Sequence, residues 1–218
     1  MAGEQGGPVW VIGAGGHGKS VISVLRVSGY TVEGLVDDDS SLWGTEVLEV
    51  PVVGPVDELA GRQNARAVIA IADNVARKQI AERLDHVEWV TLVYPNNYLN
   101  PLARLGPGAV VFPGAVIGVD VSIGAHAIIS GQCTVGHDTV LEDYVQLGPG
   151  AIVAGEAFVG EGTFLAMGSM VAQRVRVGGW SILGAGAAAL RDLPAGCKAF
   201  GIPARPVGEL SKKDDSAR

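Results

Sequence analysis

The stretch that decides the fold is residues 105–140, which read LGPGAV, VFPGAV, IGVDVS, IGAHAI, ISGQCT and VGHDTV in groups of six. The same register continues to residue 188 through fourteen groups. The fifth position is small or β-branched in every group, and the second is Gly, Ala or Ser in twelve. The first position is always aliphatic: Leu105, Val111, Ile117, Ile123, Ile129, Val135, Leu141, Leu147, Val153, Val159, Leu165, Val171, Val177 and Leu183.

A strict period of six predicts a solenoid built from short strands. One group makes a strand and a bend, and three groups make a triangular coil whose aliphatic residues point inward. The small second position is expected to let the backbone turn without steric cost. Because a single coil cannot bury its apolar face, the coils must stack. Looser groups extend the pattern upstream through Ala103, Leu99 and Val93.

The repeat resembles the hexapeptide-repeat acyltransferase family, and the resemblance implies a left-handed parallel β-helix. Upstream of it, strand and helix patterns alternate, which predicts a small parallel, Rossmann-like α/β unit. The expected strands are residues 9–12, 31–36, 52–53 and 67–72, and the expected helices are residues 19–26, 57–62 and 77–84. We divide the chain into an α/β domain (1–92), a β-helix (93–190) and a C-terminal loop and tail (191–218).

A glycine-rich turn follows the first predicted strand. Gly13, Gly15 and Gly18 match the dinucleotide-binding fingerprint, and Asp37 lies where an acid would meet a ribose. A dehydrogenase is therefore one interpretation, but the α/β part is only about half of a full dinucleotide-binding fold. Glycine backbone at a helix N-terminus binds the phosphate of any nucleotide, so we predict a nucleotide diphosphate site.

The turn, the acidic stretch after strand two and the Asp-Asn pair after strand three are similar to one subfamily. It contains bacterial nucleotide-aminosugar N-acetyltransferases and related sialic-acid O-acetyltransferases. The resemblance implies that the α/β domain holds a nucleotide sugar. His17 is either a turn residue with its ring in solvent or, as we favour, a contact to phosphate or sugar. The implied nucleotide-sugar residues are Gly13, Gly15, Gly16, His17, Gly18, Asp37, Asp38, Asp73 and Asn74.

The candidate catalytic pair is His137 and Asp138, at the third and fourth positions of their group. These positions face outward, so His137 is not a core residue. Imidazole is a natural general base for an amine, and the carboxylate could orient it. His126 lacks an adjoining acid, so we expect it to be a solvated corner residue. The subfamily resemblance also implies that His137 is the base.

The resemblance further implies that acetyl-CoA lies in a groove between adjacent β-helices of a homotrimer. Gly155 lies one coil above His137, where its N–H could bind the thioester oxygen. Gln146 stands where relatives often carry a second histidine. The segment Gly201-Ile202-Pro203-Ala204-Arg205 resembles the family's signature loop, and its prolines argue against regular structure. The acetyl-CoA candidates are Gln146, Gly155, Met167, Lys198 and Arg205.

Composition limits the other function classes. A net charge of −7 argues against nucleic-acid binding, although residues 171–213 hold seven Lys or Arg and only two acids. That basic end suits a small polyanion or is ordinary surface. The apolar runs are too short to span a membrane. Cys133 falls at an interior repeat position, and with no secretory signal visible we expect a reducing cytoplasm. No Cys/His/Asp cluster has metal-ligand spacing, so no metal is expected.

The sequence therefore predicts transfer of an acetyl group from acetyl-CoA to the amino group of a nucleotide-linked aminosugar. A UDP-4-amino-4,6-dideoxy sugar is the preferred acceptor, and GDP-perosamine stays open. O-acetylation of sialic acid or a related sugar acid is the alternative enzyme reaction. A nucleotide-binding scaffold without catalysis is the third hypothesis, and it would tolerate the loss of His137.

Overall fold

The computed structural model describes residues 6–209, so the predicted polar tail at residues 211–218 lies outside the described residues. The N-terminal part contains two α-helices and two short 3₁₀ turns, at Ser40–Leu42 and Val56–Leu59. The helices are α1 (Gly16–Val27) and α2 (Asn74–Arg83). The strands are β1 (Val9–Ile12), β2 (Val32–Val36), β3 (Glu46–Val47), β4 (Val50–Gly54), β5 (Arg66–Ile69) and β6 (Glu88–Trp89).

These six strands form one sheet in the order β3-β4-β2-β1-β5-β6, parallel except for the β3–β4 pair. The predicted βαβ unit is confirmed. The β3–β4 hairpin was not predicted, because its two loop residues, Leu48 and Glu49, have positive φ without the usual Asn or Gly signal. The predicted helix at 57–62 is a 3₁₀ turn that begins one residue earlier and ends at Leu59.

Downstream, the two-residue strands β7 to β23 follow one another every six residues, and together with the longer β24 and β25 they form three sheets, which are the faces of the β-helix. Face one is β7 (Leu92–Val93), β10 (Val110–Val111), β13 (Ile128–Ile129), β16 (Gln146–Leu147), β19 (Phe164–Leu165), β22 (Ile182–Leu183), β24 (Cys197–Phe200) and β25 (Arg205–Glu209). Face two is β8 (Tyr98–Leu99), β11 (Val116–Ile117), β14 (Thr134–Val135), β17 (Ile152–Val153), β20 (Met170–Val171) and β23 (Ala188–Ala189). Face three is β9 (Arg104–Leu105), β12 (Ser122–Ile123), β15 (Val140–Leu141), β18 (Phe158–Val159) and β21 (Arg176–Val177).

The coils stack in the predicted register. Each repeat strand from β7 to β20 pairs in parallel with the strand eighteen residues later, as Val135 does with Val153. The aliphatic first positions and the small fifth positions form one continuous buried cluster along the β-helix axis. Each coil therefore buries the apolar surface of its neighbours.

The backbone at the corners differs from the prediction that the small second position of each group makes the turn. In all fourteen groups the left-handed residue is the fourth, and eight of these fourth residues are not glycine. The small second position serves another purpose. A side chain on Gly136 would place its Cβ 2.5 Å from the Gly155 nitrogen, and one on Gly106 would lie equally close to the Ala125 nitrogen. Small residues are needed there because the next coil's backbone passes directly above.

The C-terminal segment also differs from expectation. We expected prolines to prevent regular structure near residue 205, but β25 pairs antiparallel with β24. Pro206 lies in β25, which is the edge strand of face one. An edge strand tolerates proline because one side of its backbone has no partner strand.

The α/β domain packs against the lower half of face one. Leu92, Val110 and Ile128, whose side chains point outward from that face, are buried in the same cluster as the α/β core. Neither α-helix among the described residues has the length and apolar character of a membrane-spanning segment.

Candidate active site

His137 and Asp138 lie together at the corner between faces two and three. The imidazole Nδ1 is 2.7 Å from Asp138 Oδ2, and both side chains are about half exposed, at 51% and 57%. The left-handed backbone of Asp138, with φ of 56°, turns the carboxylate back toward its neighbour. With Nδ1 held by the carboxylate, Nε2 is the nitrogen available to another group.

Gly155 lies one coil above and faces the same imidazole. A Cβ at this position would lie 2.5 Å from His137 Nε2, so only glycine leaves the ring its place. The Gly155 carbonyl accepts a hydrogen bond from Arg174, but its N–H bonds to no other residue within 6–209. A free amide donor thus lies beside the unengaged imidazole nitrogen.

The glycine turn ends at an open helix N-terminus. Gly13 has φ of +110°, and Gly15 is the N-cap of α1, which has no acidic residue in its first turn. The first helical hydrogen bond is donated by Lys19, so the amides before it have no partner within the helix. A Cβ on Gly15 or Gly16 would meet nothing within 4 Å. Backbone donors and the helix dipole therefore face open space that suits an anion.

His17 lines a cavity beside this turn. Its ring lies 5.3 Å from the Phe112 ring, and its Nε2 has no hydrogen-bond partner among the described residues. Burial, together with the Arg77 charge, lowers the pKa of His17 to about 4. A neutral ring can donate a hydrogen bond to a ligand but brings no charge to a phosphate. The cavity, about 490 Å³, is lined by His17, Ser20, Phe112, Pro113, Ser130, Gly131, Gln132 and Pro149.

The acidic candidates of the α/β domain already have backbone partners. Asp37 accepts hydrogen bonds from the Ala14 and Asp39 amides at 2.7 and 2.9 Å. Asp38 accepts from the Val56 amide at 2.9 Å and forms an ion pair with Arg83 at 3.3 Å. Both carboxylates shape the carboxyl end of β2, and each retains lone pairs for a ligand.

Asp73 and Asn74 both have hydrogen-bond partners within the protein. Asp73 caps α2 by accepting from the Ala76 amide at 2.7 Å. Asn74 is only 1% exposed, donates to the Gly162 carbonyl and accepts from Arg77. Its Nδ2 bond reaches the β-helix and its Oδ1 bond stays within α2, so Asn74 is buried at the contact between the two parts of the chain. Its assignment to the nucleotide or sugar stays a prediction.

Sequence reasoning missed Arg77, which joins the two domains. This buried guanidinium donates to the carbonyls of His126, Tyr144, Ile71 and Ala72 as well as to Asn74. Burial lowers its pKa to about 9. An arginine three residues after Asn74 on one helix face was the available signal, but only the fold reveals which carbonyls it meets.

His126 is also not the solvated residue we expected. It is 4% exposed, edge-on to Trp89 at 4.9 Å and stacked on Tyr144 at 5.4 Å. Burial, with the nearby Arg77 charge, lowers its pKa to about 4. Trp89 and Arg77 come from the α/β domain, so docking of that domain covers this corner.

The acetyl-CoA candidates lie on different parts of the β-helix. Gln146 and Lys198 belong to one outward column of face one, linked through Phe164 and Ile182. Gly155 lies at the corner opposite that face, and Met167 is exposed at the corner between faces one and two. Arg205 begins β25. One chain therefore does not bring all five candidates together.

The thiol of Cys133 is not a candidate nucleophile. Cys133 is buried, and burial raises the pKa of its thiol to about 11, which makes it a poor nucleophile. Across residues 6–209, no group of three or more His, Cys, Asp or Glu side chains is placed to hold a metal ion.

Comparison with known proteins places this geometry in a family. Residues 8–84 match the PglD N-terminal domain model. Perosamine N-acetyltransferase from Caulobacter crescentus, solved with CoA and GDP-perosamine, is 38% identical with a TM-score of 0.87 over 93% of this chain and 97% of its own. The chain belongs to the hexapeptide-repeat acetyltransferases that act on nucleotide sugars.

Two further structures agree with this hexapeptide-repeat membership. The acetyltransferase domain of PglB from Neisseria gonorrhoeae, solved with acetyl coenzyme A, is 31% identical with a TM-score of 0.86 over 92% of this chain and 98% of its own. WeeI from Acinetobacter baumannii is 26% identical with a TM-score of 0.70 over 92% of this chain and 100% of its own. The expected left-handed β-helix is confirmed.

A search of curated proteins found an uncharacterised protein of Acanthamoeba polyphaga mimivirus. It is 26% identical over 121 residues, which are 56% of this chain. The chain spans 24% of the length of this relative.

Proposed function

We propose that this hexapeptide-repeat acetyltransferase moves an acetyl group from acetyl-CoA to the amino group of a nucleotide-linked 4-amino-4,6-dideoxysugar. The observation that carries the proposal is the contact between the His137–Asp138 pair and Gly155. Related structures with CoA and GDP-perosamine or acetyl coenzyme A support both substrate classes. In two of them a histidine has been replaced, by asparagine in one and alanine in the other.

The proton transfer follows from the geometry of the pair. In the tautomer that the proposal requires, Nδ1–H donates to Asp138 and Nε2 is unprotonated beside Gly155. Nε2 of His137 removes a proton from the sugar amine while the amine nitrogen attacks the carbonyl carbon of the thioester. The carbonyl oxygen becomes negative in the tetrahedral intermediate, and the Gly155 N–H donates to it. The intermediate collapses, the C–S bond breaks and CoA leaves.

The acceptor's nucleotide is proposed to bind at the glycine turn. The free amides at the start of α1, around Gly16 and His17, would hold the diphosphate. The cavity lined by His17 and Phe112 continues from this turn and combines an apolar floor with hydroxyl and amide groups. Such a lining suits a deoxysugar, which has a methyl group on one side and hydroxyls on the other.

The complete site is proposed to need more than one copy of the chain. The glycine turn lies beside face one, whereas His137 lies at the corner opposite that face. The outward column of face two contains Thr134 and four apolar side chains, Tyr98, Val116, Ile152 and Met170, whose exposures run from 37% to 59%. We propose that face two packs against a second copy, and that a homotrimer brings a nucleotide domain to each histidine.

The function is tested by measuring CoA release with UDP- and GDP-linked aminosugars and with free sialic acid as acceptors, with mass analysis of each product and a separate measurement of nucleotide binding. A gain of one acetyl group on one nucleotide aminosugar is the expected result. Acetylation of free sialic acid alone would move the protein to the O-acetyl reaction. Nucleotide binding without turnover on any acceptor would favour the scaffold hypothesis instead.

A further inference from the structure

Trp43 differs from the other three tryptophans of the chain in what surrounds its ring. Trp10 is buried, and Trp89 and Trp180 pack at the contact between the α/β domain and the β-helix. Trp43 is 43% exposed, and within residues 6–209 no aromatic ring or cation lies against its indole. Covering aromatic surface of this size is favourable, so the indole is a candidate contact for a ligand.

One residue joins this indole to the glycine turn. Asp37, directly after β2, accepts a hydrogen bond from Trp43 Nε1 on its backbone carbonyl at 2.8 Å. The Asp37 carboxylate accepts from the amide of Ala14, in the glycine turn, at 2.7 Å. These two hydrogen bonds and the length of one aspartate keep the indole nitrogen within roughly 11 Å of the Ala14 nitrogen. One nucleoside diphosphate can span that distance, with its diphosphate at the turn and its base at the indole.

The loop that carries Trp43 is held by its own hydrogen bonds. Before the tryptophan, Asp39 Oδ1 accepts from the Ser41 amide at 2.9 Å and from the Ser41 hydroxyl at 2.7 Å. After it, the Gly44 amide donates to the Val52 carbonyl at 2.8 Å. The ring is therefore held in place before a ligand arrives, which lowers the entropic cost of binding.

The charges at this edge of the sheet decide which end of a nucleotide lies at Trp43. The loop beside it carries the carboxylates of Asp37, Asp38 and Asp39, whereas the glycine turn leads into the N-terminus of α1. The helix N-terminus attracts a diphosphate, and the carboxylates repel it. A base is neutral, and the ribose hydroxyls can donate to a carboxylate. The acidic loop therefore suits the nucleoside, and the turn suits the phosphates.

We propose that Trp43 binds the nucleobase of the acceptor by stacking the exposed part of its indole on the base. This inference rests on the proposed nucleotide site at the glycine turn and names a base contact for it. Every base has a π face, so the indole serves purines and pyrimidines alike. A free sugar acid has no base and gains nothing from Trp43. The residue therefore favours a nucleotide-linked acceptor over the sugar acid of the alternative reaction.

The test is calorimetric titration of the full chain with GDP and with UDP, after thermal unfolding has shown that each variant folds. Trp43→Leu should weaken nucleotide binding by roughly tenfold, a usual effect of removing an aromatic ring from under a base. Trp43→Phe loses the bond to Asp37 but keeps a ring, and it should bind within about threefold of wild type. Tyr30→Leu is the matched control, because it removes an aromatic ring just before the opposite, amino end of β2. It should bind as wild type does.

Tryptophan fluorescence gives a second measurement on the same samples. A base stacked on the indole should quench its emission, so nucleotide should quench the wild type and leave Trp43→Phe unchanged.

Three results would overturn the proposal. They are wild-type affinity in Trp43→Leu, equal losses in Trp43→Phe and Trp43→Leu, and quenching that persists in Trp43→Phe. A wild-type chain that binds neither GDP nor UDP would overturn it together with the proposed nucleotide site. Nucleotide binding without CoA release would contradict the proposed reaction alone.

Discussion

At the scale of single residues, the site depends on one glycine as much as on the histidine. Gly155 provides a free amide and leaves space for the His137 ring. Its backbone is held from above by Arg174 and from below through the Glu156 amide, which donates to the His137 carbonyl at 2.8 Å. The amide donor and the proposed base are therefore positioned by the same two coils.

Gly155→Ala should lower kcat without unfolding the protein. The new Cβ would overlap His137 Nε2 and push the half-exposed ring aside by about 1 Å, a displacement that costs roughly 100-fold in rate. Steady-state kinetics with thermal unfolding as a fold check would measure this. Gly61→Ala, where a Cβ meets nothing within 4 Å, is the control and should keep wild-type kinetics. Equal activity in both variants would show that Gly155 has no role in catalysis.

At the scale of elements, α2 connects the nucleotide domain to three successive coils. Arg77 binds the carbonyls of His126 and Tyr144, and Asn74 binds that of Gly162. These three carbonyls belong to equivalent corner positions, eighteen residues apart. The start of α2 thus follows the axis of the β-helix, and the His126 ring is enclosed beside it. This contact sets where the glycine turn stands relative to the coils.

Burial of His126 predicts acid sensitivity of this contact. The folded pKa of about 4 lies below the ordinary 6.5, so the unfolded chain binds the extra proton first as pH falls. The contribution of His126 to the free energy of unfolding should be complete above about pH 6.5 and should decline toward pH 4. At pH 5 the expected loss from this histidine is roughly 2 kcal/mol. Burial lowers the pKa of His17 as well, so this histidine should also reduce the free energy of unfolding as the pH falls.

Urea unfolding at pH 7.5 and pH 5 measures this loss. His126→Phe keeps an aromatic ring between Trp89 and Tyr144 and should reduce the acid-induced loss by about 2 kcal/mol. The exposed His86→Gln should not change it. An unchanged pH dependence in His126→Phe would show that this ring does not titrate with unfolding.

At the scale of the whole molecule, the unpartnered apolar column on face two predicts self-association. Ile152→Lys should convert the proposed trimer to monomers and abolish turnover, since a charge in a packed interface costs several kcal/mol unless it is paired. Sedimentation velocity measures the change. Val53→Lys is a matched control, because Val53 and Ile152 have the same 43% exposure and Val53 lies in the α/β domain. A wild-type chain that sediments as a monomer would contradict the proposed assembly.

The sequence predicted the fold well because the repeat is a periodic signal. Every inward position follows from the register of Leu105, so the β-helix needed no knowledge of distant contacts. The contact of His137 with Asp138 was harder to predict, since it depends on the left-handed corner backbone of Asp138. The buried environments of Asn74, Arg77 and His126 could not be predicted, because they arise from domain docking. A local sequence pattern carries no information about the surface where the α/β domain contacts the β-helix.

The most direct test of the account is the rate of acetyl-CoA-dependent acetylation by His137→Asn. Asparagine keeps the corner polar but cannot accept the amine proton, so kcat should fall by roughly 1,000-fold, a typical effect for a general base. His86→Asn, on the α/β domain, should retain the wild-type rate. A His137→Asn variant that turns over within a few-fold of wild type would contradict the central claim that His137 is the base.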